Sequence, residues 1–456
     1  MNDLKEYTQS LNDFQIIMVY ESLANIISKV NDQNLKGNYF KKLMKKPNES
    51  FIEVINNKNR NINYLNNLNV MKSIKILIVT NERICNSFKT FYWFYGITIF
   101  KEIINIYIYY NDKLNELINN NCNNGINKEK YELVNTTILK YFISLVKNIN
   151  DINIIKNDML MNYGILLGIF STNPNNNKNP NLLLLFAAII EVFKNNNYEI
   201  TYKIWDFFYT NIFNLLKDAN NSFPEITENF FKLVNSLVTH SLETFHFKYK
   251  SIPNNLIDVI NYGINSDIPT IYELSLETLY ILLEKMSQIN INGMEQTIII
   301  KEFYFNYFKK IFYFVFNNMI DGLHQNGIKT QIKILRIMVN TYENKDIFDR
   351  ENKINFQNEL KEELIKLGKN LTQTQIITFT LALFNYSSDE HYFELTIQDF
   401  LVSINSFSKK DESVSEEEKK QQILLSRELE LKKYLSLAEN NQNISIDNYL
   451  RDDFLM

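Results

Sequence analysis

The sequence predicts an all-α fold in which antiparallel helix pairs stack on one another. Apolar residues recur at three- and four-residue steps along most of the chain, which is the spacing of one face of an α-helix. The 456 residues include only 10 glycines and 6 prolines, whereas β-sandwiches, barrels and propellers need many tight turns built from both. The sequence also has no glycine-rich phosphate-binding loop. With these fold classes excluded, the sequence predicts a mostly helical protein.

The first predicted helix, 12–30, shows the helical pattern clearly. Its apolar positions recur mostly at three- and four-residue steps, and Asn12 or Asp13 is placed to cap its N-terminus. Further along, Pro47 is expected to open a new helix, because the N–H that proline lacks would be unpaired in the first turn in any case.

Helical patterns continue almost to the end of the chain. Helices are predicted near 35–46, 48–56, 62–80, 86–119, 129–149, 152–171, 181–195, 199–218, 224–240, 254–265, 268–287, 298–319, 327–342, 353–368, 371–386, 389–407 and 413–438. Two successive helices with their loops take about 40–50 residues, which is the period of HEAT-type repeats. Such pairs cannot bury their apolar faces alone, and they stack into an α-solenoid superhelix.

The predicted array has no clear internal boundary. We expect a HEAT-repeat solenoid over 1–411, an amphipathic C-terminal helix over 412–438 and a mobile tail over 439–456. The Asn- and Pro-rich stretch 172–180 is expected to be an insertion between paired helices. Other irregular stretches are predicted at 120–128, 288–297 and 343–352.

The charge balance and hydropathy exclude several classes of protein. Lys and Arg number 48 and Asp and Glu number 52, a net charge of −4, so no broad basic footprint for nucleic acid is present. The apolar run 97–110 is interrupted by charges, and the run 181–190 is too short to cross a bilayer. The polar N-terminus is unlike a secretory signal peptide. We therefore expect no membrane contact and no direct nucleic-acid contact.

Catalytic and metal-binding motifs are absent from the sequence. It contains no HExxH, CxxC or GxSxG pattern, and two cysteines, Cys85 and Cys122, cannot form a disulfide framework or a zinc site alone. The histidines show no metal-binding spacing, and they are His240, His246, His324 and His391. We expect no enzyme activity, no metal and no cofactor.

Two surface features have alternative interpretations. The segments 88–95 and 303–316 are rich in aromatic residues, which is typical either of core packing between stacked helices or of inter-helix pockets that bind aromatic-containing peptides. A basic cluster near the start is either a solvated helix face or a contact for an acidic partner. Its members are Lys41, Lys42, Lys45 and Lys46.

Asparagine is heavily over-used, at roughly 70 residues, far above typical composition. Asn favours turns over helix interiors, and we interpret the excess as an AT-rich genome filling permissive loops. Matches to the N-glycosylation pattern, such as the one that begins at Asn135, are expected by chance at this content.

Three collinear stretches carry motifs that go beyond the helical period. The stretch 390–407 has an F-x5-DFLV-x-I-x-x-F pattern, formed by Phe393, Asp399, Phe400, Leu401, Val402, Ile404 and Phe407. The stretch 202–237 has, in its part 226–237, an N-F-F-x-L pattern, formed by Asn229, Phe230, Phe231 and Leu233, with Thr227 before it and Pro253 after it. The third stretch is 13–118, which contains the Tyr20-Glu21 pair and a segment, 47–80, whose residue spacing also matches the pattern. In this order they resemble the C-terminal half of the exportin-1 family, within the importin-β superfamily.

The resemblance implies a nuclear export receptor, or a truncated C-terminal part of one, acting in Ran-dependent protein export. Complete members of the family are much longer and carry a cargo groove with a reactive cysteine in their central repeats. This chain resembles only the repeats on the C-terminal side of that groove, so the cargo groove is expected to be missing. The role of the reactive cysteine is not transferred to Cys85 or Cys122. Thr227 stands where the family has a basic residue.

The resemblance also implies partners and a location. The partners are Ran GTPase through weak or partial contacts, Phe-Gly nucleoporins in inter-helix pockets, and an N-terminal exportin half. The location is the nucleus and cytoplasm, and the nuclear envelope with its pores. No individual partner-binding residue is assigned.

The first long helix is expected to need a partner of its own. It offers apolar residues on more than one side, and an uncapped apolar end invites association. These residues are Phe14, Ile16, Ile17, Met18 and Val19. The alternative to a transport receptor is a generic HEAT-type scaffold of a cytoplasmic complex, because any α-solenoid gives the same periodicity.

Overall fold

Helices make up nearly all of the chain that the structure covers. The computed structural model describes residues 10–120, 125–148, 160–196, 198–218, 222–249, 254–288, 294–320, 327–344, 347–367 and 371–408. No β-strand occurs within these ranges. The predicted all-α fold class is confirmed.

Within the described ranges, seventeen α-helices are labelled in chain order. They are α1 (Asp13–Ser28), α2 (Gln33–Arg60), α3 (Leu68–Phe88), α4 (Thr90–Asn119), α5 (Gly125–Lys147), α6 (Leu160–Thr172), α7 (Asn181–Phe193), α8 (Tyr198–Phe208), α9 (Asn214–Asp218), α10 (Pro224–Tyr249), α11 (Asn254–Ile264), α12 (Pro269–Gln288), α13 (Met294–Ile320), α14 (Ile328–Asn344), α15 (Arg350–Leu367), α16 (Gln373–Asn385) and α17 (Glu390–Ser408). A π-helical segment, Tyr209–Phe213, joins α8 to α9. The chain forms two compact units that meet in sequence between Lys353 and Ile354.

The first unit consists of two layers of helices. In one layer α1, α3, α5, α7, α10, α12 and α14 pack each against the next. The other layer contains α2, α4, α6, α8, α11 and α13, and most of its members pack against the first-layer helix that follows them. Each step along the stack therefore adds one helix pair, as in HEAT-type repeats.

Helix α7 shows how this stacking explains the sequence. It lies between α5 and α10, and it buries eight of its thirteen residues. A helix covered on more than one side is apolar nearly all round, which accounts for the run 181–190. No helix in the described parts of the chain combines the length and apolar character needed to cross a bilayer.

Side-chain hydrogen bonds connect successive helices of the same layer. Asn235 Nδ2 on α10 donates to Thr278 Oγ1 on α12 at 3.0 Å, and Ser236 Oγ on α10 donates to the Ala187 carbonyl on α7 at 2.9 Å. These partners are 43 and 49 residues apart in sequence. That separation equals one repeat, so each bond joins neighbouring pairs.

The structure corrects the prediction at Pro47. Helix α2 runs through this proline without interruption, and the Pro47 ring is buried inside it. Proline removes one backbone hydrogen bond and crowds the preceding turn, at a cost of about 3 kcal/mol in a helix interior. Burial on both sides, through Phe40 and Leu43 before it and Phe51 and Val54 after it, offsets this cost. The prediction of two helices here was wrong.

The predicted single helix 86–119 is in fact two helices. The chain turns at Lys89, whose φ of 52° lies in the left-handed region, a conformation that costs a non-glycine residue about 1–3 kcal/mol. Aromatic packing holds the corner, because the Phe40 ring contacts Phe88 at 4.9 Å and Phe91 at 5.4 Å between centroids. Apolar periodicity continues across the turn and conceals it.

Most other predicted boundaries agree with the structure to within about four residues, as expected for periodicity alone. Two differ by more. The segment predicted at 62–80 begins with a 3-10 turn at Ile62–Asn66, and α3 follows it. The helix predicted at 224–240 continues to Tyr249.

The second unit contains the end of the described chain. The Phe379 and Phe400 rings stack at 3.8 Å between centroids and join α16 to α17. Within the stretch that resembles the exportin-1 family, Phe393 and Phe400 are buried, whereas Val402 is exposed. The predicted helix 412–438 and tail 439–456 lie outside the described residues and stay predictions.

Alanine in place of Gly263 should destabilise the first unit. Gly263 on α11 lies against Phe231 of α10 and Ser275 of α12, and an added Cβ would overlap both side chains. We expect the G263A variant to lose about 1–3 kcal/mol, the range for overpacked cores, measured as a fall in the urea midpoint. The matched control is G168A in α6, where nothing lies within 4 Å and alanine should gain about 0.5–1 kcal/mol. Equal midpoints for the two variants would contradict this packing.

Buried tyrosines should make the fold sensitive to alkali. Burial raises the pKa of Tyr92, Tyr141 and Tyr163 well above the ordinary value of 10.0. The folded state therefore holds these protons more tightly than the unfolded state. Their contribution to stability is complete below pH 10.0 and is lost as pH rises through the raised pKa values.

A pH titration followed by ultraviolet absorbance and circular dichroism checks this behaviour. We expect exposed tyrosines to ionise first and the buried group to ionise only as the helical signal is lost. Ionisation of all 27 tyrosines near pH 10.0 with the helical signal intact would contradict this burial.

Candidate functional site

A polar cleft of about 510 Å³ opens beside the segment that connects α6 to α7. Its walls come from α4, α5, the connecting segment and the first turns of α10. Ligand-binding clefts commonly have volumes of about 300–1,000 Å³. Residues that line it include Asn111, Glu132, Asn135, Lys140, Asn179, Glu225, Glu228 and Asn229.

The connecting segment is packed against the helices. The stretch 172–180, predicted to be an insertion between paired helices, does lie between α6 and α7, but Asn173 and Asn177 within it are buried. Asn173 and Asn111 on α4 exchange a pair of amide hydrogen bonds of 2.7 and 3.1 Å. Asn115 on α4 donates to Asn173 Oδ1 at 2.9 Å and accepts from Asn177 Nδ2 at 2.6 Å. We call these four residues the amide ladder.

Lys178 connects the same segment to the end of α6. Its side chain is buried, with 8% of the residue exposed, and its Nζ donates to the carbonyls of Phe170 at 2.6 Å and Asn173 at 3.0 Å. These carbonyls lie at the C-terminal end of α6, where backbone acceptors lack helical partners and a cation is favoured. Burial lowers the pKa of Lys178.

The far wall of the cleft is fixed to the start of α7. Asn229 Nδ2 on α10 donates to the Pro180 carbonyl at 3.1 Å, and Asn179 Nδ2 donates to Thr136 Oγ1 on α5 at 3.2 Å. The segment is thus tied to α4, α5 and α10 at once. This gives the cleft a defined shape.

Asn135 carries a hydrogen-bond acceptor without a partner. The residue is only 2% exposed, it lines the cleft, and its Oδ1 has no hydrogen bond to any described part of the chain. An unpaired buried acceptor costs about 1–3 kcal/mol. The sequence offered Asn135 only as a chance match to the N-glycosylation pattern and not as a site residue, although an amide between Val134 and the buried positions after it was a detectable signal.

The aromatic segments are mainly core. Tyr92 and Trp93 in the first segment are buried, as are Phe308 and Phe312 in the second. The core-packing interpretation therefore holds for these side chains. Phe305 differs, because 74% of it is exposed on α13.

The basic cluster forms one exposed side of α2. Lys41, Lys42, Lys45 and Lys46 are all exposed, and they form two adjacent pairs about one helical turn apart. None of them forms an ion pair with a described residue. The arrangement agrees with a solvated helix face.

The histidines do not come together. His240 is partly buried, and burial lowers its pKa, while His391 lies exposed in the second unit. The side chains of His246 and His324 lie outside the described residues. Across the described part of the chain, no group of three His, Cys, Asp or Glu residues could hold a metal ion.

Cys85 is inaccessible in the first unit. It is fully buried on α3, Asn148 Nδ2 lies 3.9 Å from its Sγ, and burial raises the pKa of its thiol to about 12. The nucleophilic thiolate is therefore scarce at neutral pH. Cys122 lies outside the described residues.

Cys85 should resist alkylation in the native protein. In a C122S variant it is the only thiol, since the sequence has two cysteines. We expect iodoacetamide at about pH 8 to leave it unmodified while the protein is folded, because the thiol is buried and protonated. Mass spectrometry after urea unfolding provides the fully modified control. Rapid alkylation in native buffer would contradict the burial.

Residues 97–409 match a protein-family model described as "CRM1 C terminal". Exportin-1 of Dictyostelium discoideum is 23% identical over 419 residues, which cover 89% of this chain and 39% of that protein. Protein EXPORTIN 1B of Arabidopsis thaliana is 22% identical over 452 residues, covering 93% of this chain and 41% of that protein. The chain thus spans about two fifths of the length of these curated relatives.

A solved structure was also matched at low similarity. It is titled "Kap95p Binding Induces the Switch Loops of RanGDP to adopt the GTP-bound Conformation", is 13% identical, and covers 90% of this chain and 50% of that one with a TM-score of 0.38. Overlap at that score supports no argument about function. The family model, in contrast, covers well over half of the chain, and the protein belongs to the exportin-1 family through this C-terminal region.

Proposed function

We propose that this chain acts as the C-terminal part of a nuclear export receptor in Ran-dependent protein export. The observation that carries the proposal is the family match over 97–409, and the first-unit helices within that range stack in pairs. The proposed protein moves between nucleus and cytoplasm through the nuclear pore. It makes weak or partial contacts with Ran GTPase and performs no catalysis.

The proposal places the cargo groove outside this chain. Burial of Cys85 supports this division, because a cysteine that reacts in a binding groove must be accessible and ionisable. Cargo binding through an export signal is therefore not expected of this chain alone.

The exposed side of α1 supports an N-terminal exportin half as a partner. Phe14 is 71% exposed, and Met18 and Ile26 are exposed as well. The other first-layer helices from α3 to α12 have a layer neighbour on each side, whereas the main contacts of α1 within the described residues are with α3 and α2. A helix pair of the same type would cover these residues by continuing the stack.

Helix α13 supports contacts with Phe-Gly nucleoporins. Phe305 and Ile298 are both exposed, and seven residues, or two helical turns, separate them on the helix. An exposed aromatic ring beside an exposed aliphatic side chain is suited to a short aromatic peptide. Unlike the buried rings around it, Phe305 leaves most of its side chain open to solvent.

Retention on immobilised Phe-Gly repeat peptide tests the proposed function. We expect the native chain to be retained at physiological salt, and the F305S/I298S variant to bind about fivefold more weakly, as for a loss of about 1 kcal/mol at an interface. The matched control is F14S, which removes an equally exposed phenylalanine from α1. It should bind like the native chain.

Absence of retention of the native chain would count against a transport receptor. It would favour the HEAT-type scaffold of a cytoplasmic complex, which predicts a stable stoichiometric partner and no affinity for Phe-Gly repeats. Equal weakening by F14S and F305S/I298S would instead show that retention is non-specific.

A further inference from the structure

We propose that the exposed face of α2 binds the same face of a second copy of this chain, with the two helices antiparallel. The lysines of one copy then lie against Glu49 and Glu53 of the other. This inference is independent of the transport function, because it concerns neither α1, where an N-terminal half would continue the stack, nor α13.

One row of residues along α2 carries opposite charges at its two ends. Residues four apart lie on the same side of a helix, and the row Lys41, Lys45, Glu49 and Glu53 is exposed throughout. None of the four forms an ion pair with a described residue. Pro47, midway along the row, is buried, so the row lies on the solvent side of the helix.

A two-fold axis at the level of Pro47 pairs each charge in the row with its opposite. In such a pair, each residue meets one that lies equally far from the axis on the other side. Lys41 lies six residues before Pro47, and Glu53 lies six after it. Lys45 lies two residues before it, and Glu49 lies two after it. The two copies therefore form four ion pairs, two of each kind.

The residues beside the row fit the same axis. Lys42 lies five residues before Pro47 and Ile52 lies five after it, so the methylene stem of Lys42 covers an isoleucine that is 57% exposed in the free chain. Asn38 and Asn56 lie nine residues on either side and are both exposed. Their amides each carry donors and an acceptor, so they pair with each other across the axis.

Other registers bring like charges together. An axis at Lys45 or at Glu49 would place that residue against its own copy, and a parallel arrangement would place the lysines of one copy beside those of the other. Like charges in direct contact disfavour an association. The charge pattern of α2 therefore selects one orientation and one register.

A second copy fits this face better than a continuous polyanion does. A nucleic acid carries a negative charge at every backbone step, and Glu49 and Glu53 would repel it. The contact is nevertheless weak and reversible. One helix face is small beside the area of about 1,200 Å² that stable complexes bury, and exposed ion pairs contribute little each.

Zero-length cross-linking of the full chain tests the contact. A carbodiimide joins a lysine amine directly to a carboxylate, and twelve residues of helix separate Lys41 from Glu53 by about 18 Å. An amide between these two residues therefore forms only between copies. In a mixture of ¹⁵N-labelled and unlabelled chains, we expect Lys41–Glu53 cross-links that join one labelled and one unlabelled peptide. Their yield should fall at least about fivefold at high salt, because salt screens exposed charges.

Charge reversal tests the register. K41E/K45E makes the row wholly acidic and E49K/E53K makes it wholly basic, so each variant alone should self-associate at least about tenfold more weakly than the native chain in sedimentation velocity. An equimolar mixture of the two variants regains all four ion pairs. It should associate at least as strongly as the native chain.

The matched control is K101E/K301E. It changes the net charge as much as K41E/K45E does, at two exposed lysines on α4 and α13, and it leaves the α2 row intact. We expect it to self-associate like the native chain.

Three results would overturn the proposal. They are the absence of the Lys41–Glu53 cross-link between copies, a mixture of the two reversed variants that stays monomeric, and equal weakening by K101E/K301E and K41E/K45E. Each result concerns the face of α2. Retention on Phe-Gly repeats was assigned to α13, so the two hypotheses fail separately.

Discussion

The structure depends on the mutual burial of successive helices in one layer. A helix pair of this length cannot cover its own apolar faces, and each first-layer helix from α3 to α12 is covered by the one before it and the one after it. Helix α7 shows the extreme case, because contact with α5 and α10 leaves it little solvent-facing surface. The loops then only have to connect helices whose positions packing has already determined, and this permits a chain with so few glycines.

Local sequence pattern predicted the helices well but not the backbone between them. The periodic spacing of apolar residues indicates which face of each helix is buried, so it predicted most of the helices in the repeats correctly. It could not register the turn at Lys89, where apolar residues continue on both sides and the ring of Phe40 stabilises an unusual φ. At Pro47 the opposite error arose, because a residue that usually begins a helix is held within one by burial on both sides.

The candidate site was less accessible to sequence reasoning than the family was. Motifs such as the one around Phe393 and Phe400 are local and indicated the family. The cleft is formed by contacts between residues far apart in sequence, for example the 62 residues between Asn111 and Asn173. The same amino acid, asparagine, was interpreted as permissive loop filling, yet Asn173 and Asn177 are buried and bonded. Composition could not separate these residues from the exposed ones.

The amide ladder has a consequence for how this protein ages. Asn173 donates a hydrogen bond to Asn111 and accepts one from it. Asn115 donates to Asn173 and accepts from Asn177. Spontaneous deamidation proceeds through attack by the backbone N–H of the following residue, so Asn173, which precedes Pro174, is protected from it, whereas Asn177 precedes Lys178. Deamidation would turn Asn177 into an aspartate, which has no side-chain N–H to donate and places a negative charge against Asn115 Oδ1. A single hydrolysed amide would then loosen the connection between α4 and α7. The lifetime of the cleft is therefore linked to the chemical lifetime of one side chain, and the tight packing that protects this amide from water also protects the site.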